Sequence, residues 1–292
     1  MKIGVSIMNR NDGYKDFKRG ITVFRSMLET FDEINYVDWN SPKGSFLWEI
    51  KDQIPKTGKI KHYVIPPSIV DLIIKDPKAS KCNQSLSRNI AIRRSEADWI
   101  VSTNIDVIPP SREELEQFIN EGNKDTFYTI SRREAPLNVF DKYKAEEWKD
   151  FYKELCNTVP ERAMGARVTP NDIYSIINSC GDFQVAHKDL WHKIKGFEES
   201  MIYALFEDSN VQKKAVLNGF GLKAALSPPL FHIEHAPYST DETGQRMVSE
   251  TFNNETAVNA NNNPITYIDN FTETGNSEDW GLNNIKLECE II

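Results

Sequence analysis

The sequence predicts an α/β fold, with a mixed, mostly parallel sheet flanked by helices. Three observations lead there. Short apolar runs alternate with stretches of helical spacing through the first half, the pattern of β-α-β units. Polar residues that end these runs, Asp38, Asn104 and Asp106, fall at the carboxyl ends of strands, where such sheets bind ligands. Finally, 292 residues with 39% hydrophobic and 11% aromatic content can bury one sizeable core without disulfide staples.

The elements follow in order. Residues 2–8 are a short apolar run suited to a buried strand. Residues 15–30 place Phe17, Ile21, Phe24 and Leu28 on one helical face. Residues 33–38 form a second strand, ending in Asp38-Trp39-Asn40-Ser41-Pro42, and 59–64 a third. Residues 85–97 are a helix with Leu86, Ile90 and Ala97 on one face. Residues 99–103 make a fourth strand, with Asn104-Ile105-Asp106 at its end. The next helix is the best marked: Ser111 and Glu114 form a capping box, Leu115, Phe118 and Ile119 its apolar stripe, and Gly122 closes it. A fifth strand spans 126–130.

The second half is less regular. Residues 142–156 read as an amphipathic helix, and 157–172 as a loop. A strand follows at 181–186, then a short helix with Leu190, Trp191 and Ile194. A helix at 207–217 ends in Asn218-Gly219, and short strands lie at 222–226 and 230–233. Beyond 250 the chain is rich in Asn and Thr. The expected organisation is a domain over 1–240 with a polar extension, 241–292, packing on it.

Composition excludes several classes. With 35 basic and 43 acidic residues the net charge is −8, which disfavours a general nucleic-acid binder. No run approaches a membrane span. The apolar N-terminal run is too short for a signal-peptide core, so a cytoplasmic location is expected. Cys82, Cys156, Cys180 and Cys289 have no C-x-x-C spacing and read as reduced thiols rather than zinc ligands.

Several constellations could carry chemistry, each with a plainer alternative. Asp106, leaving the sheet edge, could hold a divalent cation that clamps a diphosphate; the alternative is a solvated turn. Glu207-Asp208 opens a helix, where the dipole favours carboxylates anyway, but one of them could serve as a general base. In His232-Ile233-Glu234-His235 an imidazole could ligate metal, although a satisfied core histidine is the commoner case. Arg88, in the first turns of a helix, and Arg132-Arg133, after a strand, could meet phosphate. Asp182, in Gly181-Asp182-Phe183-Gln184, could hold a sugar or close a turn. There is no G-x-x-x-x-G-K-S/T and no G-x-G-x-x-G, which argues against a P-loop kinase and a dinucleotide dehydrogenase.

In their order these motifs resemble the family-2-like nucleotide-sugar glycosyltransferases of the GT-A fold, a Rossmann-like α/β architecture, from Lys2 to about Tyr238. Gly4-Val5-Ser6-Ile7 followed by Asn9 matches the opening strand and polar loop. Tyr36-Val37-Asp38-Trp39-Asn40-Ser41 matches an acidic strand end. Arg88-Asn89 begins a helix of the type "ARNxGIxxAxGDYI", leading to Asn104-Ile105-Asp106 at the D-x-D position. Lys195-Gly196-Phe197-Glu198-Glu199 resembles "GGFDE", Glu207-Asp208 the E-D pair, and Phe231-His232 a late "YH".

The resemblance implies roles. Asp38 would contact the nucleoside, with Asn9, Arg88, Asn104 and Asp106 also at the donor. Asp106 and His232 would ligate Mn²⁺ or Mg²⁺, with His235 as the fallback ligand. Asp208 would be the general base of an inverting transfer, with Glu207 beside it. Asp182 would touch the acceptor. The implied partners are a nucleotide sugar, UDP-sugars favoured, and a glycan or other hydroxyl acceptor. Asn104 departs from the family's first carboxylate; an amide oxygen can ligate a cation but brings no charge, so weakened metal binding is expected. Residues 276–282 are expected to fold back near the site, with Trp280 either a sugar-stacking platform or a packed surface Trp. Two other classes remain: a nucleotidyltransferase, disfavoured by the single glycine in the loop 9–15, and an inactive nucleotide- or glycan-binding module.

Overall fold

The computed structural model describes residues 1–11, 16–76, 79–160, 173–177, 181–202, 207–234 and 275–292. Its strands are β1 (Ile3–Asn9), β2 (Glu33–Trp39), β3 (Ile60–Ile65), β4 (Trp99–Thr103), β5 (Val107–Ile108), β6 (Thr126–Ile130), β7 (Arg133–Ala135), β8 (Phe183–His187), β9 (Gly221–Ala225), β10 (Phe231–Ile233) and β11 (Cys289–Ile291). The longer helices are α1 (Phe17–Thr30), α2 (Gln84–Arg94), α3 (Arg112–Asn120), α4 (Trp148–Thr158) and α5 (Glu207–Leu217).

The described strands form two sheets. The large one runs β11-β3-β2-β1-β4-β8-β6-β9. Its β3-β2-β1-β4 half is parallel, and β6 and β9 are parallel to each other. β8 lies between β4 and β6 and is antiparallel to both. That reversal matters for the site: it brings the residues preceding β8 to the edge where β4 ends. The small sheet, β5-β10-β7, continues from that edge.

Helices cover both faces. α1 begins at Asp16, whose carboxylate accepts from the Arg19 N–H at 3.0 Å, and buries Ile21, Phe24 and Leu28 on β1 and β2. The capping box of α3 is complete, with Ser111 and Glu114 bonded reciprocally. α2 is capped by Asn83 and buries nearly its whole length. It stops at Arg94 rather than running to residue 97, because Ser95 is extended. A second core joins Ile92, Ile100, Phe127, Trp191, Phe197, Val211 and Ala215.

The structure adds short elements that carry little periodicity: helical turns at Phe46–Ile50, Pro67–Ile73 and Leu137–Phe140, and the strands β5, β7 and β11. The helix expected over 142–156 starts at Trp148, after a 3-10 turn in which the Glu147 carboxylate accepts from the Lys144 N–H. Residues 161–172, expected as a loop, lie outside the described residues.

Residues 275–292 pack on the same body. β11 extends the sheet antiparallel to β3. The Asn276 amide bonds the carbonyls of Lys195 and Phe197 and accepts from the Glu199 N–H. The stacking role expected for Trp280 is corrected here. Its side chain is fully buried in the second core, with the Arg93 guanidinium 4.8 Å above the ring and His192 edge-on at 5.4 Å. A ring with no exposed face offers a sugar nothing to stack on.

Candidate active site

The site gathers along the edge where β1, β2 and β4 end. The parallel register sets Asn9 opposite Asp38. The Thr103 hydroxyl donates to the Asp182 carbonyl at 2.5 Å, which ties the end of β4 to the start of β8. The Asn104 amide then bridges two charged groups. Its Oδ1 accepts from Arg88 Nη2 at 2.8 Å, and its Nδ2 donates to Asp182 Oδ1 at 2.7 Å. The other oxygen of Asp182 binds Arg132 Nη1 at 2.5 Å.

The small sheet assembles a second cluster. Antiparallel pairing sets His232 beside Val107, directly after Asp106, and parallel pairing sets His232 opposite Glu134. His232 Nδ1 bonds Glu134 Oε2 at 2.6 Å, and its Nε2 lies 3.5 Å from Asp106 Oδ2. Burial disfavours the imidazolium, but the bonds to Asp106 and Glu134 outweigh it and carry the His232 pKa to about 9. Burial likewise works against the Glu134 carboxylate, yet its bond to His232 holds it below its ordinary value. Arg132 links the two clusters, its Nε on Glu134 Oε1 at 2.8 Å.

Asp208 stands in the first turn of α5, as expected for a helix opening on Glu207-Asp208. Its Oδ2 accepts from the Gly181 N–H at 3.1 Å, and Oδ1 lies 3.5 Å from Arg88 Nη1. The side chain keeps 32% of its surface open, whereas Arg88 keeps 2%. Desolvation raises the Asp208 pKa, and so does the nearby Asp182; Arg88 and the Gly181 N–H oppose them without cancelling the shift. Gln184, on β8, donates to the Asp208 carbonyl at 3.2 Å and so holds the start of α5 against that strand, while Gln212, one turn along α5, donates to the same carbonyl at 3.2 Å. Arg88 in turn lies 5.2 Å over the Phe197 ring.

Beside these clusters opens a small, part-open cleft of about 40 Å³, lined by Asn9, Arg10, Asn11, Ile105 and Asp106 and by Arg19 and Phe46. Its polar loop is braced: Asn11 bonds Ser41 Oγ and Glu49, and Arg10 bonds the Asn40 carbonyl.

The expected residues are therefore only partly brought together. Arg88, Asn104, Asp106, Asp182, Asp208 and His232 belong to one connected set. Asn9 lines the cleft next to it. Asp38 is 1% exposed and accepts from Ser41, Ser45 and the Phe46 N–H, with burial raising its pKa; it does not line the cleft. Glu207 is buried next to Asp208. His235 lies outside the described residues. Arg132, a possible phosphate contact from sequence, instead pairs with Asp182 and Glu134.

No family model and no curated protein matches the chain. Solved structures do. Residues 1–349 of TarS from S. aureus, in complex with UDP, match with a TM-score of 0.51 at 14% identity, over 80% of this chain and 61% of that one. GalNAc-T7, in complex with UDP, GalNAc and Mn²⁺, matches with a TM-score of 0.50 at 12% identity, over 85% of this chain and 47% of that one. The fold is of the GT-A type. The chain spans less than two thirds of the length of either neighbour.

Within this GT-A fold, sequence reasoning misses Glu134 and the bridging of Asn104 to Asp182. Glu134 follows Arg132-Arg133, and the charge alternation there is the one available signal. Its partner lies 98 residues away, so spacing carries no trace of the contact. Gly181 reads from sequence as part of a turn, yet the absence of a side chain there is what lets Asp208 approach.

Proposed function

We propose that the protein is a glycosyltransferase. It moves a sugar from a nucleotide sugar, a UDP-sugar in our reading, to a hydroxyl of a glycan or other acceptor, with inversion. The observation that carries the reading is the Asp208 carboxylate, part-open to solvent and held by the Gly181 N–H and Arg88 on the sheet edge that also presents Asp106 and His232. UDP bound to the two fold neighbours favours the donor class.

The chemistry follows from that arrangement. Asp208 takes the proton from the acceptor hydroxyl as its oxygen forms a bond to the anomeric carbon. The bond from that carbon to the phosphate oxygen breaks, and the nucleoside diphosphate leaves with the electron pair. Asn9, Arg10 and Asn11 line the cleft that would take the nucleotide, and with Asp182 and Glu207 nearly fully buried, Asp208 is the carboxylate of the three left open to an acceptor.

A divalent cation, Mn²⁺ or Mg²⁺, suits the Asp106–His232 pair. Two adjacent ligands at bonds of ~2.1 Å stand ~3 Å apart, close to the 3.5 Å between Asp106 Oδ2 and His232 Nε2. His232 also turns its other nitrogen to Glu134, the usual outer partner of a metal-bound imidazole. Among the described residues no group of three such side chains is placed to hold a metal, so diphosphate oxygens and water would complete the shell. A cation there would stabilise the charge on the departing diphosphate.

Hydrolysis and transfer with a panel of nucleotide sugars, with and without Mn²⁺, test the proposal. Asp208→Asn should abolish transfer and leave nucleotide binding nearly intact. Equal rates for that variant and the wild type would remove Asp208 as the base. Pyrophosphate release from a nucleoside triphosphate would mark a nucleotidyltransferase instead.

A further inference from the structure

We propose that Asn104 is a positioning residue, a neutral crosspiece that aligns Arg88, and through it Asp208, against Asp182, and that it is not a weakened metal ligand. The inference rests on Asp208 as the base in the reading above.

Both ends of the amide are already committed. Arginine can only donate and an ionised carboxylate can only accept. Oδ1 must therefore face Arg88 and Nδ2 must face Asp182, so the orientation of the amide is forced by its partners. The oxygen that would ligate a cation already accepts from the Arg88 guanidinium at 2.8 Å, and that positive charge repels a second one placed on the same oxygen.

The amide also completes a longer chain of contacts. Asp208 is followed by Arg88, Asn104, Asp182, Arg132, Glu134, His232 and Asp106, each within 3.5 Å of the next. From Asp208 to Glu134 the charged members alternate in sign. Asn104 is its neutral member, set between a cation and an anion, both nearly fully buried. An amide accepts from the first and donates to the second. A carboxylate at 104 would satisfy Arg88 but would face the Asp182 oxygen at 2.7 Å, where two anions repel strongly. The departure from D-x-D is thus explained by the neighbour at 182.

The consequence is a matched exchange. In Asn104→Asp/Asp182→Asn the acid and the amide trade places. Arg88 still meets an acceptor, the 104–182 bond survives with its direction reversed, and Arg132 meets an amide oxygen.

Four proteins test this: the wild type, N104D, D182N and N104D/D182N. Turnover and KM are measured alongside UDP binding in EDTA, Mn²⁺ binding without nucleotide, and urea unfolding. N104D is expected to lose about tenfold or more in kcat, with UDP affinity in EDTA within about threefold of wild type. N104D/D182N is expected to recover most of that kcat and the lost stability, a non-additivity that marks direct coupling. If N104D does not fold, recovery of folding and turnover in the exchange variant supports the proposal equally. Additive losses in the double variant overturn the proposal, as does an N104D protein with tighter Mn²⁺ binding and raised turnover, the behaviour of a restored ligand. If the wild type neither transfers nor hydrolyses any nucleotide sugar, the glycosyltransferase reading falls, and the unfolding cycle alone still decides whether Asn104 couples to Asp182.

Discussion

Gly181 and Asp208 are so close that no side chain fits between them. A Cβ placed on Gly181 would lie 2.4 Å from both Cβ and Cγ of Asp208, well inside van der Waals contact. Gly181→Ala should therefore push the carboxylate from the Gly181 N–H. The expected outcome is a kcat lowered by about tenfold or more, with ~1–3 kcal/mol of stability lost to overpacking. Steady-state kinetics and urea unfolding check it, and an alanine variant with wild-type kcat would mean the carboxylate need not sit there.

The pH dependence follows from the same carboxylate. A base must be ionised, so its activity falls as pH drops through its pKa. Desolvation and Asp182 raise that pKa above the ordinary 3.8, and Arg88 restrains it. The acid limb of kcat/KM should lie above 3.8, and Arg88→Met should move it further up. A limb that stays in place in the variant would separate Arg88 from the titration of Asp208.

Trp280 gives a stability prediction with a functional control. Trp280→Ala removes a fully buried ring and should cost ~3–5 kcal/mol in urea unfolding. In protein kept folded at low temperature, the donor Kd should stay unchanged, because the ring is out of reach of a sugar. Selective loss of sugar binding would contradict its burial.

His62 predicts an acid-sensitive fold. Burial disfavours its cation and lowers its pKa from 6.5 to about 4, against the pull of Glu290 at 3.5 Å, while Ser45 Oγ bonds Nε2 at 2.9 Å. The unfolded chain takes up this proton more readily than the fold does. Stability is thus fully present above about pH 6.5 and declines as pH falls towards 4, by at most ~3 kcal/mol. Unfolding measured across that window should show the slope, and His62→Gln should flatten it.

The order of β1, β2, β3, β4 and β6, with α1, α2 and α3 among them, is legible in the sequence because each unit is local. An apolar run of five to seven residues, a capped helix and a polar strand end lie within a few turns of chain. The capping box at Ser111 and Glu114 and the helix opening at Glu207-Asp208 are legible for the same reason. β5, β7 and β11 are two or three residues long and exist only through partners elsewhere, so no periodicity announces them. Trp280 shows the same limit: an aromatic in a polar tail looks exposed until the tail is seen to fill the gap beside Trp191 and Phe197.

The sequence by itself determined the α/β class, the strand ends that carry Asp106 and Asn104, and the helix start that carries Asp208, since these depend on propensity and pattern within short windows. The tertiary structure decided what those side chains face. The antiparallel insertion of β8 brought Asp182 to Asn104, and the small sheet brought Glu134 to His232. Hydrogen bonds between residues 78 and 98 positions apart are set by strand pairing, which a single sequence does not encode in any local spacing.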